Sequence, residues 1–182
     1  MTVQAALSAL KAHAASRAPE LVTNLNPPAT EGALAAFEAE FGVTLPASAR
    51  AAYLVHDGEA DDLLTLLGPQ RWMPLAEVAR TSRQLTAWDV RHFDAHRMIP
   101  LFDLSGDYLY VESVASPGDD SPLRVWDHER PTEEVEAESV GAFVAQFAAD
   151  ASAGRCLVIR ETLRFGSRRG RETVTLIRED EY

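Results

Sequence analysis

The chain is poor in cysteine, has no long apolar run and is short of positive charge. One cysteine, Cys156, stands in 182 residues. A single thiol excludes a disulfide framework within the chain and a thiolate cluster for zinc or iron–sulfur, and it suits a reducing compartment. No stretch approaches the ~20 consecutive apolar residues of a spanning helix. The opening MTVQAALSALKAHAASRAPE lacks a basic segment ahead of an apolar one, so no secretory leader is expected and the predicted location is cytoplasmic. Neither a glycine-rich phosphate loop nor a G-x-S-x-G elbow occurs. No enzyme, cofactor or metal is expected.

The charge deficit is uneven. Net charge is −11, with −3 in residues 1–60, −10 in 61–150 and +2 in 151–182. That field repels phosphate backbones and anionic membranes, and it attracts a basic protein. Nucleic acid and membrane are therefore disfavoured as partners. With 46% hydrophobic residues the chain is ordinary for a globular domain. At this length it can bury about 70% of its unfolded surface without staples.

The most legible stretch is RMIPLFDLSGDYLYVE, Arg97 to Glu112. Two aromatic and β-branched runs flank Ser105-Gly106-Asp107, which predicts a β-hairpin because glycine supplies the positive φ of a tight connection. Pro100 lacks an N–H for the ladder and belongs at the strand's start or on an edge. Leu123 to Trp126 predicts a third strand, and Thr132 to Glu138 an acidic edge segment. Before the hairpin, residues 2–17 have helical spacing, and Pro19 and Asn26-Pro27-Pro28 mark a linker. A second helix runs from the cap Thr30 to Gly42. A third starts at Leu45-Pro46 and continues to His56-Asp57-Gly58. Leu63 to Leu67 reads as a short strand and Pro74 to Trp88 as a helix with Leu75, Val78, Ser82 and Leu85 inward. Ser139 caps a last helix bearing Val140, Phe143, Val144 and Phe147. Cys156 to Phe165 and Thr173 to Ile177 predict a tail hairpin around the basic loop GSRRGR. The expected fold is α+β, a central and mostly antiparallel sheet with helices against it and a C-terminal hairpin extension. The expected division is a domain over 1–154 and a basic extension over 155–182.

Several pairs of residues have the types but not the spacing of chemistry. His56-Asp57 reads as a helix C-terminus closed by Gly58. Asp127-His128-Glu129 alternates across a strand, so it makes a charged patch rather than a metal site. Ser105 has no base and no oxyanion donor in view, so it is a turn residue. Trp72, Trp88 and Trp126 are expected in the core, one exposed beside the acidic run becoming a candidate anchor for a partner. Arg168, Arg169 and Arg171 read as a solvated tip, with a clamp onto the acidic stretch as the alternative.

An ordered series of marks carries a resemblance. Glu38-x-x-Phe41-Gly42-x-x-Leu45-Pro46 is followed by Tyr53, Leu54 and His56-Asp57-Gly58, then by Arg71 to Leu75, Ile99-Pro100, Asp103 and Ser105-Gly106-Asp107-Tyr108-Leu109. Val125 to Glu129, Ser139 and Phe143 complete it. Over roughly residues 20–150 the chain resembles the SUKH superfamily, the Smi/Knr-type group of fungal cell-wall regulators and bacterial immunity proteins. The resemblance implies an α+β fold and a non-enzymatic, protein-binding role. In bacteria that role is neutralising a partner toxin; a regulatory scaffold for endogenous partners is the alternative. It assigns structural parts to Gly42, Leu45, Pro46, Asp57, Gly58, Gly106 and Asp107. The run from Asp119 to Glu138 holds 8 acidic and 2 basic residues, more acid than the motif needs. Asp119, Asp120, Asp127, Glu129, Glu133 and Glu134, with Trp126 as anchor, are therefore the candidate surface for a basic toxin domain.

Overall fold

The hairpin sits in the middle of a five-stranded antiparallel sheet, ordered β2-β3-β4-β5-β6 in the computed structural model of the chain. The structure describes residues 1–88, 93–129, 134–163 and 171–181. Its two long strands are β3 (Met98–Leu104) and β4 (Asp107–Glu112), flanked by β2 (Arg71–Trp72), β5 (Leu123–Trp126) and β6 (Val135–Ala137). Ser105 and Gly106 form the two-residue connection, both with positive φ (56° and 104°), the backbone that the twist of a two-residue hairpin favours. Asp107 is thus the first residue of β4 rather than part of the turn.

Pro100 lies inside β3 instead of at its start. It is tolerated because β2 reaches only Phe102 and Asp103, and because the register with β4 shifts between Pro100 and Phe102. At Pro100 the strand is locally an edge with a bulge, the setting in which a missing N–H costs least. The bulge also lets Leu101 and Phe102 both join the main core. Along β4 the faces then alternate. Leu109 and Val111 enter the main core, whereas Tyr108 and Tyr110 join Leu85, Phe93, Met98 and Trp126 in a smaller aromatic patch on the other face.

Six helices surround this sheet among the described residues. They are α1 (Val3–Ala15), α2 (Pro19–Thr23), α3 (Glu31–Phe41), α4 (Ala47–Tyr53), α5 (Leu75–Ala87) and α6 (Val140–Ser152). Thr30 and Ser139 cap α3 and α6 through their hydroxyls, and Gly42 closes α3 at φ 65°, as their sequence positions require. α2 was hidden in the predicted linker; Pro19 opens it as a first-turn proline. α4 ends at Tyr53, earlier than the continuing apolar run Leu54-Val55 suggested.

The tail strands β7 (Cys156–Leu163) and β8 (Arg171–Arg178) do form a hairpin. They make a second sheet, because β8 pairs in parallel with β1 (Leu64–Thr65). Val174 and Leu176 of β8 belong to the same apolar core as α1 and α6. Arginines fasten this sheet: Arg171 to Asp61, Arg160 to Glu20 and Arg178 to Glu136. Of the basic cluster, Arg171 is therefore a clamp, although onto Asp61 and not the acidic stretch; Arg168 and Arg169 lie outside the described residues. The clamp onto that stretch is made by Arg178.

Candidate protein-binding surface

The residues of the recurring motif turn out to be locks on the helical layer. Glu38 accepts the N–H of Leu45 at 2.9 Å and pairs with Arg50 at 3.2 Å. This fixes the seven-residue step from α3 into α4, with Leu45 fully buried. Pro46 is the N-cap residue of α4 and offers no side-chain acceptor. His56-Asp57-Gly58 follows the end of α4 directly, the N–H of His56 closing its last turn on the Ala52 carbonyl at 3.0 Å. Asp57 accepts the N–H of Leu75 at 2.7 Å and so caps α5 from outside. His56 bonds the Asn26 carbonyl through Nδ1 at 2.8 Å and faces Lys11 through Nε2 at 2.9 Å. Burial first, with the Lys11 charge adding to it, lowers its pKa below the usual histidine value.

The candidate acidic residues separate into two groups at opposite ends of β4 and β5. At the hairpin-turn end, Tyr108 pairs with Trp126, which brings Asp107 beside Asp127 and His128. Asp107 accepts from the His128 backbone at 3.0 Å and lies 2.6 Å from its Nδ1. That hydrogen bond, and the surrounding carboxylates after it, raise the His128 pKa. Asp127 accepts the N–H of Glu129 at 2.7 Å. Asp107, Asp127 and His128 have ligand atoms within 4.8 Å of one another. The imidazole is already engaged by Asp107, so what the group presents outward is negative charge. The sequence flagged Asp127 and Glu129 but not Asp107, whose neighbour across the sheet is visible only once the β4–β5 register is known.

Asp119 and Asp120 sit at the other end, about 17 Å away along β4 from the rise of an antiparallel strand. The Asp119 carbonyl accepts the N–H of Ala47 at 2.8 Å, and Asp120 accepts from Ser48 Oγ at 2.7 Å and from its N–H at 3.4 Å. These contacts satisfy the first turn of α4, which Pro46 cannot. Asp120→Ala is expected to cost about 1 kcal/mol, the usual worth of a lost N-cap, read as a lower urea midpoint with an unchanged slope. Glu134 is exposed and its carbonyl accepts from Val125 at 3.0 Å; Glu133 lies outside the described residues.

Of the tryptophans, Trp72 and Trp126 are buried and Trp88 is 70% exposed. Trp126 is enclosed by Phe93 and Tyr108 with ring centroids at 6.2 and 5.7 Å. Its indole N–H has no acceptor among the described residues. Trp88 is the C-cap residue of α5, one turn beyond Leu85, which belongs to the same aromatic patch as Trp126. Helical spacing alone hid this. Leu85 ends the inward stripe of α5, and nothing in the sequence distinguishes a covered position after it from an open one.

An α+β frame whose marked residues lock its helical layer, with the Trp88 indole exposed at the end of α5, fits a protein-binding domain. Residues 28–146 match the SMI1 / KNR4 family (SUKH-1), and the chain belongs to that family. No curated protein matches the chain. No helix among the described residues is long and apolar enough to cross a membrane.

Proposed function

We propose that this protein is an immunity-type member of its family, which holds a toxic partner protein inactive by covering that partner's active surface. The observation that carries the reading is the acidic cluster at the hairpin turn, where Asp107 and Asp127 flank His128 and Asp127 holds the exposed Glu129, on a chain of net charge −11. The contact surface is proposed over Asp119, Asp120, Asp127, Glu129, Glu133 and Glu134, centred on the hairpin-turn end. Trp126, buried, supports it from beneath, and the exposed Trp88 is the proposed anchor in its place. Negative potential steers a basic partner toward the surface, and packing of the indole slows its release. Against a toxin that acts on nucleic acid, the carboxylates would occupy the places of phosphates.

The test is affinity capture from the organism's own lysate and secreted fractions, followed by expression of each captured protein alone and together with this chain. A single basic partner, toxic alone and harmless in combination, is the expected result. The double reversal Asp127→Lys with Glu129→Lys should then slow association at least about tenfold at low salt, an effect that high salt removes. Trp88→Ala should speed dissociation by roughly thirtyfold, the scale of a hot-spot tryptophan. A complex indifferent to salt and to the charge reversal would sink the acidic-surface mechanism. Several weak partners, none of them toxic, would instead support a regulatory scaffold.

A further inference from the structure

β7 is the outer strand of the three-stranded sheet, which is ordered β1-β8-β7. It pairs with β8 in one unbroken register over eight residues, from Cys156↔Arg178 to Leu163↔Arg171. It carries no proline and no bulge, two of the devices by which edge strands avoid pairing. β6, the edge of the other sheet, is only three residues long and sits among acidic residues.

Two observations fix which backbone groups of β7 point outward. The N–H of Glu179 donates to the Arg155 carbonyl, so Arg155 and every second residue after it face β8. On the far side of β8, the N–H of Val174 donates to Leu63 and the Leu176 carbonyl accepts from Gly68. Val174 and Leu176 thus turn their backbone groups toward the β1 side, and their β7 partners Arg160 and Val158 turn theirs away from β8. Val158, Arg160 and Thr162 therefore present donors and acceptors along an edge that no strand among the described residues covers. Arg160 does not guard it, since its guanidinium is drawn to Glu20 at 2.5 Å.

We infer that β7 pairs with β7 of a second copy of this chain, antiparallel about a two-fold axis normal to the sheet. Repulsion between copies is weakest at this site. Residues 1–150 carry −13 and would repel a copy, whereas 151–182 carry +2. The same symmetry selects the register, because a normal two-fold keeps each sheet face on its own side and sets the central residue against itself. Centring on Arg160 or Glu161 opposes two like charges, which destabilises a sheet pair. Centring on Val158 leaves the last three residues of the strand unmatched. Centring on Ile159 opposes no like charges and leaves only Leu163 of the strand unmatched. Val158 of each copy then exchanges hydrogen bonds with Arg160 of the other, Ile159 meets its own copy in a non-hydrogen-bonded pair, and Leu157 meets Glu161. Leu157, 37% exposed, and Ile159 become part of one apolar strip that crosses the axis.

The pure protein tests this independently of any toxin. Sedimentation across a dilution series should show a dimer that dissociates into monomer. Thr162→Pro removes an outward N–H but no bond to β8, and should shift the equilibrium toward monomer with an unchanged far-UV spectrum. Ile159→Cys should form a disulfide-linked dimer under mild oxidation, since non-hydrogen-bonded pairs bring Cα atoms to about 4.5 Å. Glu161→Cys, on the same face but opposite Leu157 of the second copy, should cross-link far more slowly. A monomer at every concentration, or equal cross-linking at positions 159 and 161, would overturn the proposal.

Discussion

Gly58→Ala is expected to remove most of the protein's folding stability. Gly58 has φ 67°, and a Cβ built there would lie 2.6 Å from the Met73 carbonyl carbon and 2.6 Å from Pro74 N. Both are backbone atoms, so no rotamer change relieves the clash. A left-handed alanine costs about 1–2 kcal/mol, and forced overpacking against fixed atoms costs about 1–3 kcal/mol more. Together they reach the scale of several kcal/mol on which small domains unfold. Gly42→Ala separates the two contributions. Gly42 has nearly the same φ, 65°, but nothing within 4 Å of its missing Cβ. It should lose only the conformational share. Urea unfolding of both variants decides the matter: equal losses would mean that the approach of residues 73–74 contributes nothing.

Glu59 carries the second large effect. Its carboxylate is fully buried, with one oxygen accepting the Leu66 N–H at 2.7 Å and the other the Trp72 N–H at 2.9 Å. Burial pushes its pKa up to about 7, against the opposing pull of those two backbone donors and of Arg71. Between the ordinary glutamate value and 7 the native state therefore binds more protons than the unfolded chain. The group's contribution to stability is fully present below about pH 4.5 and is lost as pH rises through 7. The loss is roughly 3 kcal/mol. Glu59→Gln keeps the shape but sets an amide NH2 against one of the two N–H donors. It should cost about 1–3 kcal/mol in acid, where a hydroxyl oxygen could still have accepted. That deficit should shrink as pH rises from about 4.5 to 7 and level off above 7, where the native protein buries a charge and the variant does not. A deficit independent of pH would show that Glu59 keeps an ordinary pKa.

What the sequence made legible is local. Thr30, Gly42 and Ser139 act on helix ends within a few residues, and Ser105-Gly106 acts on the two strands it joins. Their signals lie side by side in the chain. Strand β1 shows in the sequence only as the apolar run Leu63 to Leu67, and β2, two residues long, is too short for any period to appear. The end of α4 at Tyr53 is blurred in the sequence because Leu54 and Val55 continue the apolar pattern, and their N–H groups still donate to the carbonyls of Arg50 and Ala52. The remaining losses are of contacts made across long separations. Asp120 looked like surface charge because Ser48, which it caps, lies 72 residues away. Asp107 looked like turn chemistry because its partner His128 lies on the neighbouring strand. The acidic stretch was visible as composition, but its division between the two ends of β4 required the register.

The pairing of β1 with β8 has a consequence for how the chain comes off the ribosome. Thr65 meets Thr175 across 110 positions, so at about 5–20 residues per second β1 waits roughly 5–20 s for its neighbour to be made. α1 waits in the same way for α6. During that interval the apolar run Leu63–Leu67 has no strand to cover it, and the nascent chain exposes a short β-prone segment of the kind that chaperones engage. Pausing of translation between residues 70 and 170 lengthens that window, so the speed of synthesis across the middle of the message governs how much of the product escapes aggregation.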